Sequence, residues 1–466
     1  MFFRLHSLAA TLVLLPFWWH VVLYQGSRPE LYLTYQSVIL YAGDFTLALT
    51  LAAWGMDRFL RPRTFVRPPI AITALLLAFL SWSALSVLWS QEPRLTLGYA
   101  LHLLLLTGIL FYLANDSPPP AQLALWLTVG LTIQALIALA EVSLQSGHFL
   151  QPLGLLWPGD LLVARSGTSV VENAAGARWL RAYGTLPHPN ILGGYLLVYL
   201  VGPTLGYLRT GRKGWVVVWL LGVSVFLLSF SRAAWAGGLA AGLSLVWLLP
   251  ASFRLRALTL AVAAIPALLA LSWALPGVFF ARIAPVPEEG TRLERSSSEE
   301  RTRFNDAALR IWRRHPWAGV GAGAYMIAAS DLPQLPAPLE PAHSVGLLAA
   351  AELGIVGLFL VAGLAGAVGG GIWLRRRQDG PSGALFGAAL VGIGVTALFD
   401  HFWWTLPPGR DLLWLAIGLW LRSSIPGKGG QDHGTCIRGR CAPATQNTIT
   451  SSAPAATRTP ASTSGG

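Results

Sequence analysis

Charge is scarce in this chain. Charged residues make up 12% of its 466 residues against 54% hydrophobic ones, and the mean hydropathy is +0.55. That leaves too little polar surface to coat a soluble globule of this size. Cysteine is rarer still. Cys436 and Cys441 both lie near the C-terminal end, so the body of the chain has no disulfide framework or cysteine metal cluster available. No small-x-small cleavage site follows the first apolar run after Arg4, which makes that run a retained helix rather than a signal peptide.

What the chain has in abundance is apolar runs of roughly 17 to 30 residues, where a helix needs about 20 to cross a hydrocarbon core. A β-barrel would show alternation in segments of about 10 residues instead. The expected fold class is an all-α polytopic membrane protein. Spans are expected near 6–25, 36–55, 70–89, 96–114, 121–142, 190–208, 214–230, 233–249, 257–275, 345–373, 382–399 and 411–421, or about twelve helices. Residues 1–422 would form the membrane domain. Residues 423–466, rich in Gly, Ser, Thr, Pro and Ala, would form a disordered tail.

The arginines orient the spans. Arg58, Arg61, Arg63 and Arg67, then Arg209, Arg212 and Lys213, then Arg254 and Arg256, then Arg375, Arg376 and Arg377 fall in short loops on one side. The positive-inside rule makes that side cytoplasmic and places both chain ends there. Two long insertions, 143–189 and 276–344, fall on the outer side, in the cytoplasmic (inner) membrane's external face. The net charge of +12 is dispersed along membrane boundaries rather than gathered on one face. It reads as topology and contact with membrane lipid, not as binding to nucleic acid.

Chemistry is best sought at the polar interruptions. Arg232 is the only charged residue between Trp215 and Leu249. That stretch is too long for one crossing, so two spans should meet at Arg232 in an outer hairpin. In the larger outer loop, Ala307, Ala308, Ile311 and Trp312 form an apolar stripe at helical spacing, with acidic residues before it and basic ones after. This predicts an amphipathic helix ended by Pro316, with Arg301 near its start. The glycine run 316–323 lacks a preceding strand and a Gly-Lys-Ser/Thr, so close backbone packing explains it better than a nucleotide. The loop closes on His343, just where hydrophobicity resumes, with Glu352-Leu353-Gly354 further on. The earlier loop carries Arg181 and His188-Pro189-Asn190, where Asn190 would cap a helix. Asp400-His401 closes the eleventh span beside Trp403 and Trp404.

Together these motifs resemble the O-antigen ligase and polymerase superfamily of membrane glycosyltransferases. The resemblance rests on Ser231-Arg232-Ala233-Ala234-Trp235, on Glu300-Arg301 with Ala308-Leu309, on His315-Pro316-Trp317-Ala318-Gly319-Val320-Gly321, and on Ala342-His343-Ser344 with Glu352-Leu353-Gly354-Ile355-Val356-Gly357. It is concentrated between 180 and 360. Ser344 stands where relatives usually have Asn, and Ala233 where Gly is common.

The resemblance implies transfer of a glycan from a polyprenyl diphosphate carrier to a glycan, lipid or protein acceptor on the outer face of the membrane. Arg232 and Arg301 would clamp the diphosphate, with Arg303 as substitute for the second. His343 would be the general base. Arg181, His188, Asn190 and Asp400 would face substrate. With no Asp-x-Asp in the chain, no divalent metal and no cofactor is expected, and direct attack would invert the sugar carbon. A polymerase would share donor and site. A flippase or permease would instead place charged or broken helices near mid-membrane, where only Asp44 and His102 are expected.

Overall fold

A computed structural model describes residues 2–153, 168–172, 176–283, 292–333, 335 and 339–423. The tail beyond Ser423, with Cys436 and Cys441, and parts of both long outer loops lie outside the described residues.

In chain order the first half runs α1 (Phe2–Leu14), β1 (His20–Gln25), α2 (Leu33–Gln36), β2 (Ser37–Tyr41), α3 (Ala42–Leu60), α4 (Ile70–Leu85), α5 (Pro93–Asp116), α6 (Pro120–Leu144), β3 (Val170–Glu172) and β4 (Arg178–Leu180). It continues with α7 (Pro189–Tyr199), α8 (Val201–Thr210), α9 (Lys213–Leu228), α10 (Arg232–Leu248), α11 (Ala251–Ala274) and α12 (Pro276–Ile283). The remainder is α13 (Arg292–Arg314), α14 (Tyr325–Ser330), α15 (Val345–Arg375), α16 (Pro381–Ala397), α17 (Phe402–Thr405) and α18 (Pro407–Ser423).

The protein is mostly helical and polytopic. Among the described residues, six helical stretches are long and apolar enough to cross a membrane: Ile70–Leu88, Pro93–Asp116, Pro120–Leu144, Pro189–Thr210, Ala251–Ala274 and Val345–Arg375. Helices occupy the other six expected positions, but they are shorter or less apolar. Several start on proline at the first turn, as α5, α6, α7 and α16 do, where the missing N–H has no partner to lose. The surface of α11 shows what surrounds the bundle. Leu255, Val262, Leu269 and Trp273 are each more than 60% exposed, a cost in water that hydrocarbon removes.

Two expectations are corrected. The fold is not wholly helical, because β1 pairs with β2 and β3 with β4 as antiparallel ribbons. The first expected span, 6–25, is helical only to Leu14, since Pro16 interrupts it and the β-branched and aromatic run from His20 pairs with Ser37–Tyr41. The second span correspondingly starts at Ala42 rather than 36. The amphipathic helix is longer than its stripe, running from Arg292 to Arg314, with Phe304, Ala307, Ala308 and Ile311 buried.

The basic residues and the polar interruptions gather at opposite ends. At one end Arg4, Arg58 and Arg63 share Asp57 and Asp116 at 3.3–4.0 Å, joining the starts and ends of α1, α3 and α5. Near Asp116, Arg422 reaches Asn115 O. The outer-loop motifs meet at the other end.

Candidate active site

The α9–α10 hairpin turns within Ser229-Phe230-Ser231, where Phe230 takes φ 46° and Ser231 caps α10 by accepting from Ala234 N (3.3 Å). Arg232 is therefore the first residue of α10, half-buried at the hairpin tip, as the sequence predicts. Two other arginines close on the same tip. Arg181 Nε donates to Ser229 O and Arg282 Nε to Phe230 O, each at 2.7 Å.

From Arg181 a hydrogen-bonded chain leads to His401, whose ring packs against His343. Arg181 donates to Asn190 Oδ1 (2.7 Å), and Asn190 Nδ2 donates to Asp400 Oδ2 (2.8 Å). Asp400 Oδ1 accepts from His401 N (2.9 Å). The His401 ring sits edge-on to His343 at 5.3 Å, and its Nδ1 bonds Thr405 Oγ1 (2.8 Å). On the far side Asn305 Oδ1, on α13, accepts from His343 N (2.9 Å). Asn190 is thus a bridge and not the expected cap. The cap of α7 is His188, whose Nδ1 accepts from Asn190 N (3.1 Å).

Burial, then the neighbouring His401 and Arg301, hold His343 well below the ordinary histidine pKa. His188 and His401 are lowered for the same first reason, with Arg181 and Arg301 adding to His188. All three rings are neutral at neutral pH. His343 Nδ1 is buried without a hydrogen-bond partner among the described residues, and Nε2 lies 3.8 Å from Glu340 Oε2. The ring can accept a proton in an electropositive setting, because Arg301 acts on His188, His343 and His401 together.

Arg303 does not join this group. It is exposed on α13 and turned into a separate groove with Arg310 and Arg313.

The glycine run packs as predicted, against a broken helix. Within α15, Gly354 adopts φ 66°, and the 316–321 segment enters the break. Val320 N donates to Ala351 O (3.1 Å), Gly321 N to Glu352 O (2.9 Å) and Ile355 N to Pro316 O (2.8 Å). A Cβ at Gly319 or Gly354 would collide with the backbone of the other segment. Glu352 is not at the surface of the site. Buried, it accepts from Gly323 N (2.8 Å), Tyr325 N (3.4 Å) and Trp404 Nε1 (2.7 Å).

Sequence reasoning missed the role of Arg282, Asn305 and His401, which only the fold brings together. It also treated Asp44 and His102 as isolated exceptions. His102 Nε2 lies 3.0 Å from Asp44 Oδ1 and 2.9 Å from Asp411 Oδ1, and Arg410 Nε donates to its Nδ1 (3.1 Å). The two carboxylates and the imidazole offer ligand atoms within 4.8 Å of one another. Donation from Arg410 into Nδ1 leaves the ring proton on Nε2, where a metal would need a lone pair. The donor set therefore suits a hydrogen-bonded ion network better than a metal.

A helical bundle with three histidines and several arginines gathered at one end defines a polytopic membrane protein. Residues 216–362 match the model of the O-antigen ligase family. The match spans the α9–α10 hairpin, α13, His343 and the break in α15. No curated protein matches the chain.

Proposed function

We infer that the protein transfers a glycan from a polyprenyl diphosphate to an acceptor hydroxyl, as members of the matched family act on lipid-linked glycans. The observation that carries this reading is His343, neutral and largely buried within the electrostatic reach of Arg301, packed against His401, which Asp400 and Asn190 tie to the arginine-closed hairpin. A diphosphate leaving group gains charge as its bond to the sugar breaks, and guanidinium groups suit its oxygens. Arg232 and Arg301 are assigned to that group. His343 takes the proton of the attacking hydroxyl, and one displacement inverts the sugar carbon. Arg181, Asn190 and Asp400 position the hairpin and His401; they act through other residues. The site faces the outside of the cytoplasmic membrane, with both ends of the membrane domain inside, in keeping with the basic end formed by Arg4, Arg58, Arg63 and Arg422.

The test is purified full-length protein in lipid, given a polyprenyl-diphosphate oligosaccharide, a panel of acceptors and chelator. Chelator-resistant release of polyprenyl diphosphate, lost in His343→Ala, is expected. The productive acceptor separates ligase from polymerase. The Asp44–His102–Asp411–Arg410 network is the kind of buried charge that a transport reading predicts. Specific binding of the lipid-linked donor with no turnover on any acceptor would move the assignment to transport.

A further inference from the structure

The outward face of α13 carries a second feature that the transfer site does not use. Arg303, Asp306, Arg310 and Arg313 recur at helical spacing and, with Leu309, line an open groove of about 680 Å³ whose opposite wall is Pro333 and Leu335. This lies within the 300–1,000 Å³ usual for ligand sites. The three arginines are exposed, and none enters an ion pair among the described residues. Three guanidiniums against one carboxylate leave two positive charges in the groove. On the helical wheel this face is turned well away from Arg301 and Asn305, which lie toward His343, so the groove is distinct from the diphosphate clamp.

We propose that this groove seats an anionic segment of the acceptor glycan, phosphate- or carboxylate-substituted, while the acceptor hydroxyl reaches His343 around the edge of α13. The acceptor role rests on the transferase reading above. Two observations favour a glycan over lipid headgroups. A helix pinned to headgroups needs only one flat basic face, whereas this face has a second wall. The walls are short apolar residues flanking charged ones, which suits the mixed faces of sugars carrying acidic substituents. Guanidiniums bind both phosphate and carboxylate in a bidentate manner.

The test uses full-length protein in phosphatidylcholine nanodiscs. It is titrated with a fluorescent oligosaccharide carrying a phosphomonoester, with the same sugar after phosphatase treatment, and with a uronate-containing sugar and its carboxyl-reduced form. At least one anionic form should bind about ten-fold or more tightly than its neutral counterpart, a difference of about 1.4 kcal/mol, and the gap should shrink with salt. Arg310→Gln with Arg313→Gln should remove the preference, while His343→Ala should keep it. Equal affinities for both members of each pair, or a preference that survives the double substitution, would overturn the proposal. So would displacement of the glycan by phosphatidylglycerol vesicles, which would assign the groove to headgroups, or by polyprenyl diphosphate, which would assign it to the donor. Because binding is read without turnover, loss of the transferase reading and loss of the groove give different results.

Discussion

At the scale of single residues the site depends on which side chains carry charge. His343, His188 and His401 are all held neutral, chiefly by burial. An unfolded histidine takes up its proton near pH 6.5; these three do so only lower. As pH falls through the unfolded value, the unfolded chain gains protons that the folded one refuses, so stability drops by up to about 1.4 kcal/mol per histidine per pH unit. Thermal unfolding in detergent at about pH 7.5 and about pH 5.5 should show the loss, and His343→Ala should reduce it; a melting temperature indifferent to this change would mean the rings titrate normally. Transfer itself should stay level as pH falls to 6.5 and decline only well below it. At Arg232 the question is geometry against charge. Lysine keeps the charge but not the planar fork, so Arg232→Lys should restore only part of the turnover lost in Arg232→Ala, on the order of one-tenth of wild type. Full recovery would reduce its role to a point charge.

At the scale of elements the unit that orders the site is a loop threaded into a broken helix. The 316–321 segment takes the place of one turn of α15, and the strand-like hydrogen bonds from Val320, Gly321 and Ile355 satisfy groups that the break would orphan in an apolar setting. Gly354→Ala forces a side chain into positive φ and against the backbone of Trp317. It should cost about 2 kcal/mol or more, read as a lower melting temperature and poorer yield, whereas Gly366→Ala, with open space around it, should change little. Much of this level was legible in the sequence. The interruption at Arg232, the stripe on α13 and the tight packing of the glycine run each follow from local pattern, because hydrophobic periodicity and glycine content are local signals. What stayed hidden depended on distance along the chain. Nothing near His188 says that its own imidazole, rather than Asn190, would cap α7, since that choice is made by Arg181 and Asp400 drawing the Asn190 side chain away. The β1–β2 ribbon was hidden by its composition, apolar enough to extend the flanking spans on paper.

At the scale of the whole molecule, the proposed function depends on which end of the bundle faces out. Arg4, Arg58 and Arg63 gather around Asp57 and Asp116 at one end, and the insertions that build the His343 site gather at the other. Short basic loops resist translocation, whereas long ones cross regardless of their charge, so the proposed orientation puts Arg303 and Arg310 outside although they are as basic as Arg254 and Arg256. The same logic explains why ionisable residues could be buried at Asp44, His102, Arg410 and Asp411 without fixing topology: they are paired with one another inside the bundle rather than placed at its ends. With Cys436 and Cys441 replaced by serine, single cysteines introduced at Arg303 and at Arg254 report the orientation. A membrane-impermeant maleimide added to intact cells should label the cysteine at position 303 and leave the one at 254 untouched until the membrane is opened. The reverse pattern would put His343 on the cytoplasmic side, where the lipid-linked donor would have to be used before it is moved across the membrane, and the proposed reaction would need a different place in the order of assembly.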